Sequence, residues 1–93
     1  MRPERTVPTV FVPVPLRRLT GGEHRVTVPG ATLRELVANL DARYPGFAAH
    51  VTEDGRLRPG MAAIVNGEAT VDGLRTPLTE DAEVHFLPAV SGG

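Results

Sequence analysis

One amphipathic helix, over residues 32–44, constrains the fold of this chain more than any other feature. Apolar side chains recur there at helical spacing: Leu33, Leu36, Val37, Leu40 and Tyr44. Thr32 followed by Glu35 matches a capping box, and Pro45-Gly46 ends the helix. Because a helix with a single apolar stripe must bury it against another layer, we expect this one to lie across a sheet.

Short segments rich in apolar and β-branched residues surround the helix and predict strands. They cover residues 6–14, 23–28, 61–65, 68–71 and 83–87. Asn66-Gly67 predicts a two-residue hairpin turn between the third and fourth of them. We interpret residues 15–22, 52–60 and 72–78 as loops, and residues 47–51 as one helical turn.

The order strand, strand, helix, strand, strand, strand predicts an α+β fold. A mixed sheet of about five strands with one main helix packed on one face is the β-grasp architecture, which ubiquitin has. The 93 residues allow one domain. We expect a flexible N-terminus over 1–5, the β-grasp domain over 6–88, and a flexible C-terminal tail over 89–93 that ends in Gly-Gly.

Alternation along the last strand assigns its side chains to two faces. Val84 and Phe86 are expected to face the helix and join the core. His85 and Leu87 then face outward, and Leu87 becomes a candidate for partner docking because it lies next to the tail.

Composition excludes several classes of function. The chain carries 10 basic and 11 acidic side chains, so the basic excess of a nucleic-acid binder is missing. It has no cysteine, and all of its basic residues are arginines. Disulfides, cysteine-bound metals, thiol catalysis and Schiff-base chemistry are therefore excluded. No apolar run is long enough to span a membrane and the N-terminus does not resemble a signal peptide, so we expect a cytoplasmic protein.

The histidines and the single serine do not form a catalytic or metal site in the sequence pattern. His24, His50 and His85 lack a second histidine or a carboxylate at metal-ligand spacing, so no metal is expected. Ser91 has no base nearby and lies in the expected tail, which cannot hold a nucleophile in place.

The pair Gly92-Gly93 ends the sequence, after a strand, a proline and small residues. Residues without a Cβ can enter a narrow slot in which a side chain would clash. This pattern suits a protein whose reactive group is its own terminal carboxylate, at Gly93.

The segment Leu87-Pro88-Ala89-Val90-Ser91-Gly92-Gly93 resembles the terminal signature of ubiquitin-like sulfur carrier proteins of the MoaD/ThiS family. The resemblance extends to the helix and to residues 61–67. Thr20-Gly21-Gly22 and Tyr44-Pro45-Gly46 are most similar to the CysO-type carriers of actinobacterial cysteine biosynthesis.

This resemblance implies a carrier that performs no catalysis and binds no cofactor itself. An E1-like adenylyltransferase would use ATP to adenylate Gly93, and sulfur would then displace AMP to leave a thiocarboxylate. A sulfur-acceptor synthase would use that sulfur. The implied roles are threading into the partner for Val90, Ser91 and Gly92, and docking for Leu87, Pro88 and Ala89.

Two other functions remain compatible with the sequence. A ubiquitin-like modifier would be conjugated to other proteins through Gly93, and a β-grasp interaction domain would end in Gly-Gly by accident. For a carrier, the acceptor stays open among synthases of cysteine, molybdopterin, the thiazole of thiamin, or sulfur-containing secondary metabolites.

Overall fold

The computed structural model describes residues 7–88, which form a five-stranded mixed sheet and a separate two-stranded hairpin. The strands are β1 (Thr9–Phe11), β2 (Arg25–Thr27), β3 (Thr52–Glu53), β4 (Arg56–Leu57), β5 (Met61–Val65), β6 (Glu68–Ala69) and β7 (Glu83–Pro88). The large sheet has the order β2-β1-β7-β5-β6, and β3 pairs with β4. Only β1 and β7 run parallel, which makes the sheet mixed.

The predicted helix forms as α1 (Leu33–Arg43), and the predicted helical turn as α2 (Phe47–Val51). At the start of α1, the Thr32 hydroxyl accepts a hydrogen bond from the Glu35 N–H at 3.3 Å. The Glu35 carboxylate reaches back to the N–H of Ala31 at 2.9 Å, one residue before the cap. The capping pair predicted from the sequence therefore fixes where α1 begins.

The core lies between α1 and one face of the sheet. Leu33, Leu36 and Leu40 of α1 are fully buried. From the sheet, Val84 and Phe86 are fully buried as predicted, and the Phe86 ring meets Phe47 of α2 edge-on at 6.1 Å. This sheet order and its helix confirm the predicted β-grasp fold.

The prediction of a loop over residues 15–22 is wrong. A 3-10 helix, Val14–Thr20, occupies most of that segment. Pro15 stands near its start, where a missing N–H costs nothing, and Leu16 is buried in the core. The buried hydroxyl of Thr20 donates to the carbonyl of Glu23 at 2.7 Å, so the polar end of the helix is satisfied internally.

Two further predicted loops contain regular structure. Residues 52–60 include the hairpin of β3 and β4, whose turn contains Asp54 at a positive φ of 53°. Residues 72–78 include a second 3-10 helix, Gly73–Arg75, with Leu74 buried. Each is too short to produce a readable hydrophobic period.

β1, β2 and β6 are shorter than predicted, β5 has the predicted bounds, and β7 extends one residue further, to Pro88. The predicted pairing of β5 with β6 is confirmed. The first strand is only Thr9–Phe11 because Pro8 and Pro13 flank it and lack the N–H that a ladder needs. Asn66 and Gly67 both have positive φ, 52° and 85°, as the predicted turn between β5 and β6 requires. Among residues 7–88, no helix has the length and apolar character needed to cross a membrane.

Candidate functional site

The face of the sheet away from α1, which we call the outer face, carries a row of side chains across all five strands. Cross-strand partners place Arg25 beside Phe11, Phe11 beside His85, His85 beside Ile64, and Ile64 beside Ala69. In β1, β2, β5 and β7 their neighbours along the strand are buried in the core: Val10, Val26, Ala63, Val84 and Phe86. The row is therefore mainly apolar, with His85 at its centre and the charge of Arg25 at one end.

Phe11 and His85 form the flat centre of this outer face. Their rings are parallel, with centroids 4.2 Å apart and planes within 1° of each other. The guanidinium carbon of Arg25 lies 6.0 Å from the centroid of the Phe11 ring, at the outer limit of a cation–π contact. Three strands thus present one continuous stacked surface.

A groove of about 470 Å³ opens beside this stack, at the end of the sheet where β7 ends. Since β1 runs parallel to β7, the residues after Phe11 reach the same end as Leu87. The lining side chains include Pro13, Val14, Arg17, His24 and Leu87. Val14 and Leu87 expose 69% and 48% of their surface, so the groove offers unpartnered apolar area.

The first 3-10 helix is held against this groove by a side-chain contact. The Nε of Arg17 donates to the carbonyl of Val12 at 3.0 Å, which ties the helix to the end of β1. Arg17, Arg25 and His24 place basic groups around the apolar centre. A partner surface that covers it gains from matching acidic groups at the rim.

The last strand delivers the chain to this groove. The backbone of Pro88 pairs with Met61, and Leu87 pairs with Ala62. Leu87 points outward, as alternation predicts. The other predicted site residues, Ala89, Val90, Ser91, Gly92 and Gly93, lie outside the described residues, as does the side chain of Pro88.

The three histidines lie in three different structural environments. His85 belongs to the stack, and His24 lies in a bend before β2 rather than in a strand as predicted. The Nδ1 of His50 is 2.9 Å from the carbonyl of Gly46, and its Nε2 is 3.5 Å from a guanidinium nitrogen of Arg18. In the part of the chain from 7 to 88, no three metal-ligating side chains cluster.

Sequence reasoning missed most of the outer face. Phe11 and Ile64 stand in segments that contain apolar residues at both inward and outward positions. A strand with apolar residues on both faces is either covered on both sides or has one face available for a partner. This pattern was the sequence signal that could have revealed the outer face. Val14 was missed because it was expected to end a strand.

A sequence model of the ThiS family matches residues 10–93. The chain belongs to the ThiS family. The matched region runs from β1 to the last glycine, so it contains both the sheet and the terminal Gly-Gly.

Individual relatives of this ThiS-family chain agree with the assignment. The sulfur carrier protein CysO of Mycobacterium tuberculosis is 34% identical over 90 residues, which are 91% of this chain and 97% of the relative. Small archaeal modifier protein 3 of Haloferax volcanii is 35% identical over 65 residues, which are 68% of this chain and 71% of the relative.

A solved structure extends the similarity to three dimensions. A chain of the crystal structure of the Amycolatopsis orientalis BexX/CysO complex superposes with a TM-score of 0.86 at 33% identity. The alignment covers 92% of this ThiS-family chain and 99% of that chain. The β-grasp body described above is therefore shared with a CysO that has been crystallised with a second protein.

Proposed function

We propose that this chain is a sulfur carrier whose Gly93 is activated as an adenylate, converted to a thiocarboxylate and used as a sulfur donor. The observation that carries the proposal is the ThiS-family match, which continues through Gly92 to Gly93. The similarity to the sulfur carrier CysO over nine-tenths of the chain supports it.

The chemistry follows from the weakness of a carboxylate as an electrophile. An E1-like adenylyltransferase joins the carboxylate of Gly93 to the α-phosphate of ATP and releases pyrophosphate. A sulfide equivalent then attacks the acyl carbon, AMP leaves, and a thiocarboxylate remains. When its sulfur passes to the electrophile of an acceptor synthase, water restores the carboxylate.

The side chains of this protein support a carrier rather than a catalyst. The sequence has no cysteine to hold sulfur and no lysine to form a Schiff base. Within residues 7–88 no metal-ligating cluster exists either. The chain binds no cofactor in this proposal, ATP is consumed by the activating enzyme, and both encounters take place in the cytoplasm.

The outer face and its groove form the surface to which a partner enzyme binds. Leu87, Pro88 and Ala89 form the docking segment, and the stack of Phe11 on His85 extends it across the sheet. Val90, Ser91 and Gly92 enter the partner's channel. The CysO of Amycolatopsis orientalis, which was crystallised with BexX, supports this use of a partner protein.

The activation step can be tested through its reversibility. The full-length protein is mixed with the E1-like enzyme of its own organism, ATP and labelled pyrophosphate. We expect exchange of label into ATP, and its loss when Gly93 is deleted. Ala42→Glu, on the exposed side of α1, should leave the exchange unchanged. Exchange that survives the deletion would refute Gly93 as the activated residue.

The similarity to small archaeal modifier protein 3 favours one alternative, a protein modifier conjugated through Gly93. A modifier would be activated in the same way, so exchange does not separate the two functions. Denaturing electrophoresis of cell extracts does, because a modifier appears as covalent adducts that depend on Gly93. A carrier remains at its own mass. In either case this chain, without lysine, offers no side-chain amine for adducts with itself.

A further inference from the structure

A second groove, of about 340 Å³, lies where α1, β4 and the second 3-10 helix meet. Three arginines from these three elements line it: Arg34, Arg56 and Arg75. We call this surface the arginine groove. Val71 and Asp72 complete its rim.

The three guanidinium groups are not used to hold the fold together. Among the described residues, only Arg58 and Glu53 form an ion pair, at 2.6 Å. No side chain of Arg34, Arg56 or Arg75 makes a hydrogen bond to another residue between 7 and 88. Each guanidinium therefore presents its planar set of donors to whatever enters the groove.

The charge balance of the groove is positive. Among residues 7–88, Asp72 is the single carboxylate on its lining, against three arginines. Glu53 and Asp54 line a neighbouring cavity that shares Arg56 and Leu57 with the groove, and Glu53 is already paired with Arg58. The excess positive charge calls for an anionic partner.

Arg34 strengthens this conclusion because of its position in α1. It lies in the first turn, where the helix macrodipole already places partial positive charge. A cation there interacts unfavourably with the helix macrodipole, so the charge of Arg34 does not stabilise α1 through this interaction. Its charge adds to the field that an anion in the groove would experience.

An exposed apolar residue distinguishes the groove from a site for a free anion. Val71 leaves 94% of its surface exposed at the rim, and Leu57 is half-buried beneath. A small inorganic anion would leave both unused. A peptide segment that combines carboxylates with an apolar side chain would satisfy the arginines and cover Val71 as well.

The arginine groove is separate from the outer face, since its lining shares no residue with the groove beside the stack. Arg34 belongs to α1 and the side chain of Leu74 is buried, which places the groove on the helix side. A partner there does not compete with one on the outer face.

We propose that the arginine groove binds an acidic segment of a partner protein, with its carboxylates on the three guanidiniums and an apolar side chain on Val71. The groove gives the chain a second docking surface, on the helix side of the sheet. This inference goes beyond the proposed function, since such binding requires no sulfur transfer.

A titration followed by NMR of the uniformly labelled full-length protein tests the proposal. The probe is a short synthetic peptide of glutamates around a central leucine, and its control has glutamine in place of glutamate. We expect the glutamate peptide to shift the amide signals of residues 55–57 and 71–75, and the effect to weaken with added salt. Because Arg56 is exposed, loss of its ion-pair contact in Arg56→Gln should weaken binding by roughly twofold to fivefold.

Matched variants complete the experiment. The triple variant Arg34→Gln, Arg56→Gln, Arg75→Gln should lose binding while it keeps the dispersed spectrum of a folded protein. Arg18→Gln, an exposed arginine on the first 3-10 helix, should bind as the unmodified protein does. Equal binding of the glutamine peptide, or unchanged binding by the triple variant, would overturn the proposal. Tighter binding of inorganic phosphate at the same amides would overturn it too, because the groove would then be a site for a small anion.

Discussion

Phe11 and His85 stack face to face across the one parallel strand pair of the sheet, with ring centroids 4.2 Å apart. The contact joins β1 to β7, the last strand before residues 89–93. Because it lies on the outer face, the same contact that aligns β1 with β7 also forms the centre of the surface proposed for docking.

This stack should contribute a measurable coupling energy to folding. In a double-mutant cycle of Phe11→Ala and His85→Ala, we expect a coupling of about 0.5–1.5 kcal/mol in the free energy of unfolding, the range for aromatic pairs. Urea denaturation measures it. Thr9 and Glu83, two positions away on the same two strands, provide a control cycle that should be close to additive. Additivity of the Phe11 and His85 substitutions would show that the stack does not stabilise the fold.

Docking through the outer face predicts a charge-sensitive effect at Leu87. Leu87→Glu places a carboxylate in the apolar groove and should weaken capture by the activating enzyme by roughly tenfold or more, since a desolvated charge is costly. Ala42→Glu adds the same charge to the exposed side of α1 and should bind normally. Surface plasmon resonance with the activating enzyme compares the two. Equal binding of both variants would remove Leu87 from the docking surface.

The start of α1 depends on the hydroxyl of Thr32. Thr32→Ala removes the acceptor for the Glu35 N–H and should lower the free energy of unfolding by about 0.5–2 kcal/mol. Thr32→Ser keeps the acceptor and should recover most of that loss. Thermal denaturation followed by circular dichroism measures both. A serine variant as unstable as the alanine variant would assign the effect to packing of the methyl group.

Gly30 is required because the chain passes very close to α1. A Cβ there would lie 2.7 Å from the backbone N and 2.8 Å from the Cα of Leu36, and neither atom belongs to a flexible side chain. We expect Gly30→Ala to destabilise the protein by about 1–3 kcal/mol, as overpacking does. The entropy that alanine removes from the unfolded chain, worth about 0.4–1 kcal/mol, is too small to compensate. Denaturant unfolding with unchanged stability would contradict the close approach.

The fold could be predicted where side-chain periodicity matches a regular element. The stripe of α1, the Asn66-Gly67 turn and the alternation through Val84 and Phe86 each have a period or turn chemistry that sequence reveals. These elements predict one helix layer packed on one sheet. The rules for connections between strands then leave only a few possible strand orders.

The rest depends on tertiary contacts that leave little pattern. The first 3-10 helix forms because Leu16 enters the core and Thr20 donates a hydrogen bond to the Glu23 carbonyl. The local sequence, which is rich in proline, suggests a loop instead. The arginine groove depends on Arg34, Arg56 and Arg75, which are 22 and 19 positions apart along the chain. Only the fold brings them together.

The terminal site was the opposite case, since the Gly-Gly pattern and the family resemblance singled it out from sequence. Gly92 and Gly93 lie outside the described residues. The structure therefore describes the β-grasp body, while the proposed reaction at Gly93 rests on the family match. The two meet at Leu87, which was predicted to be exposed and is.

Intact-mass spectrometry with fragmentation is the most direct test of the central claim. The protein is purified from cells that also make its E1-like partner, under conditions that preserve thiocarboxylates. We expect a species in which sulfur replaces one oxygen, with the fragment ions assigning the sulfur to Gly93, and no such species when Gly93 is deleted. A protein with unmodified Gly93 in those cells, or sulfur that persists in the deletion variant, would contradict the account.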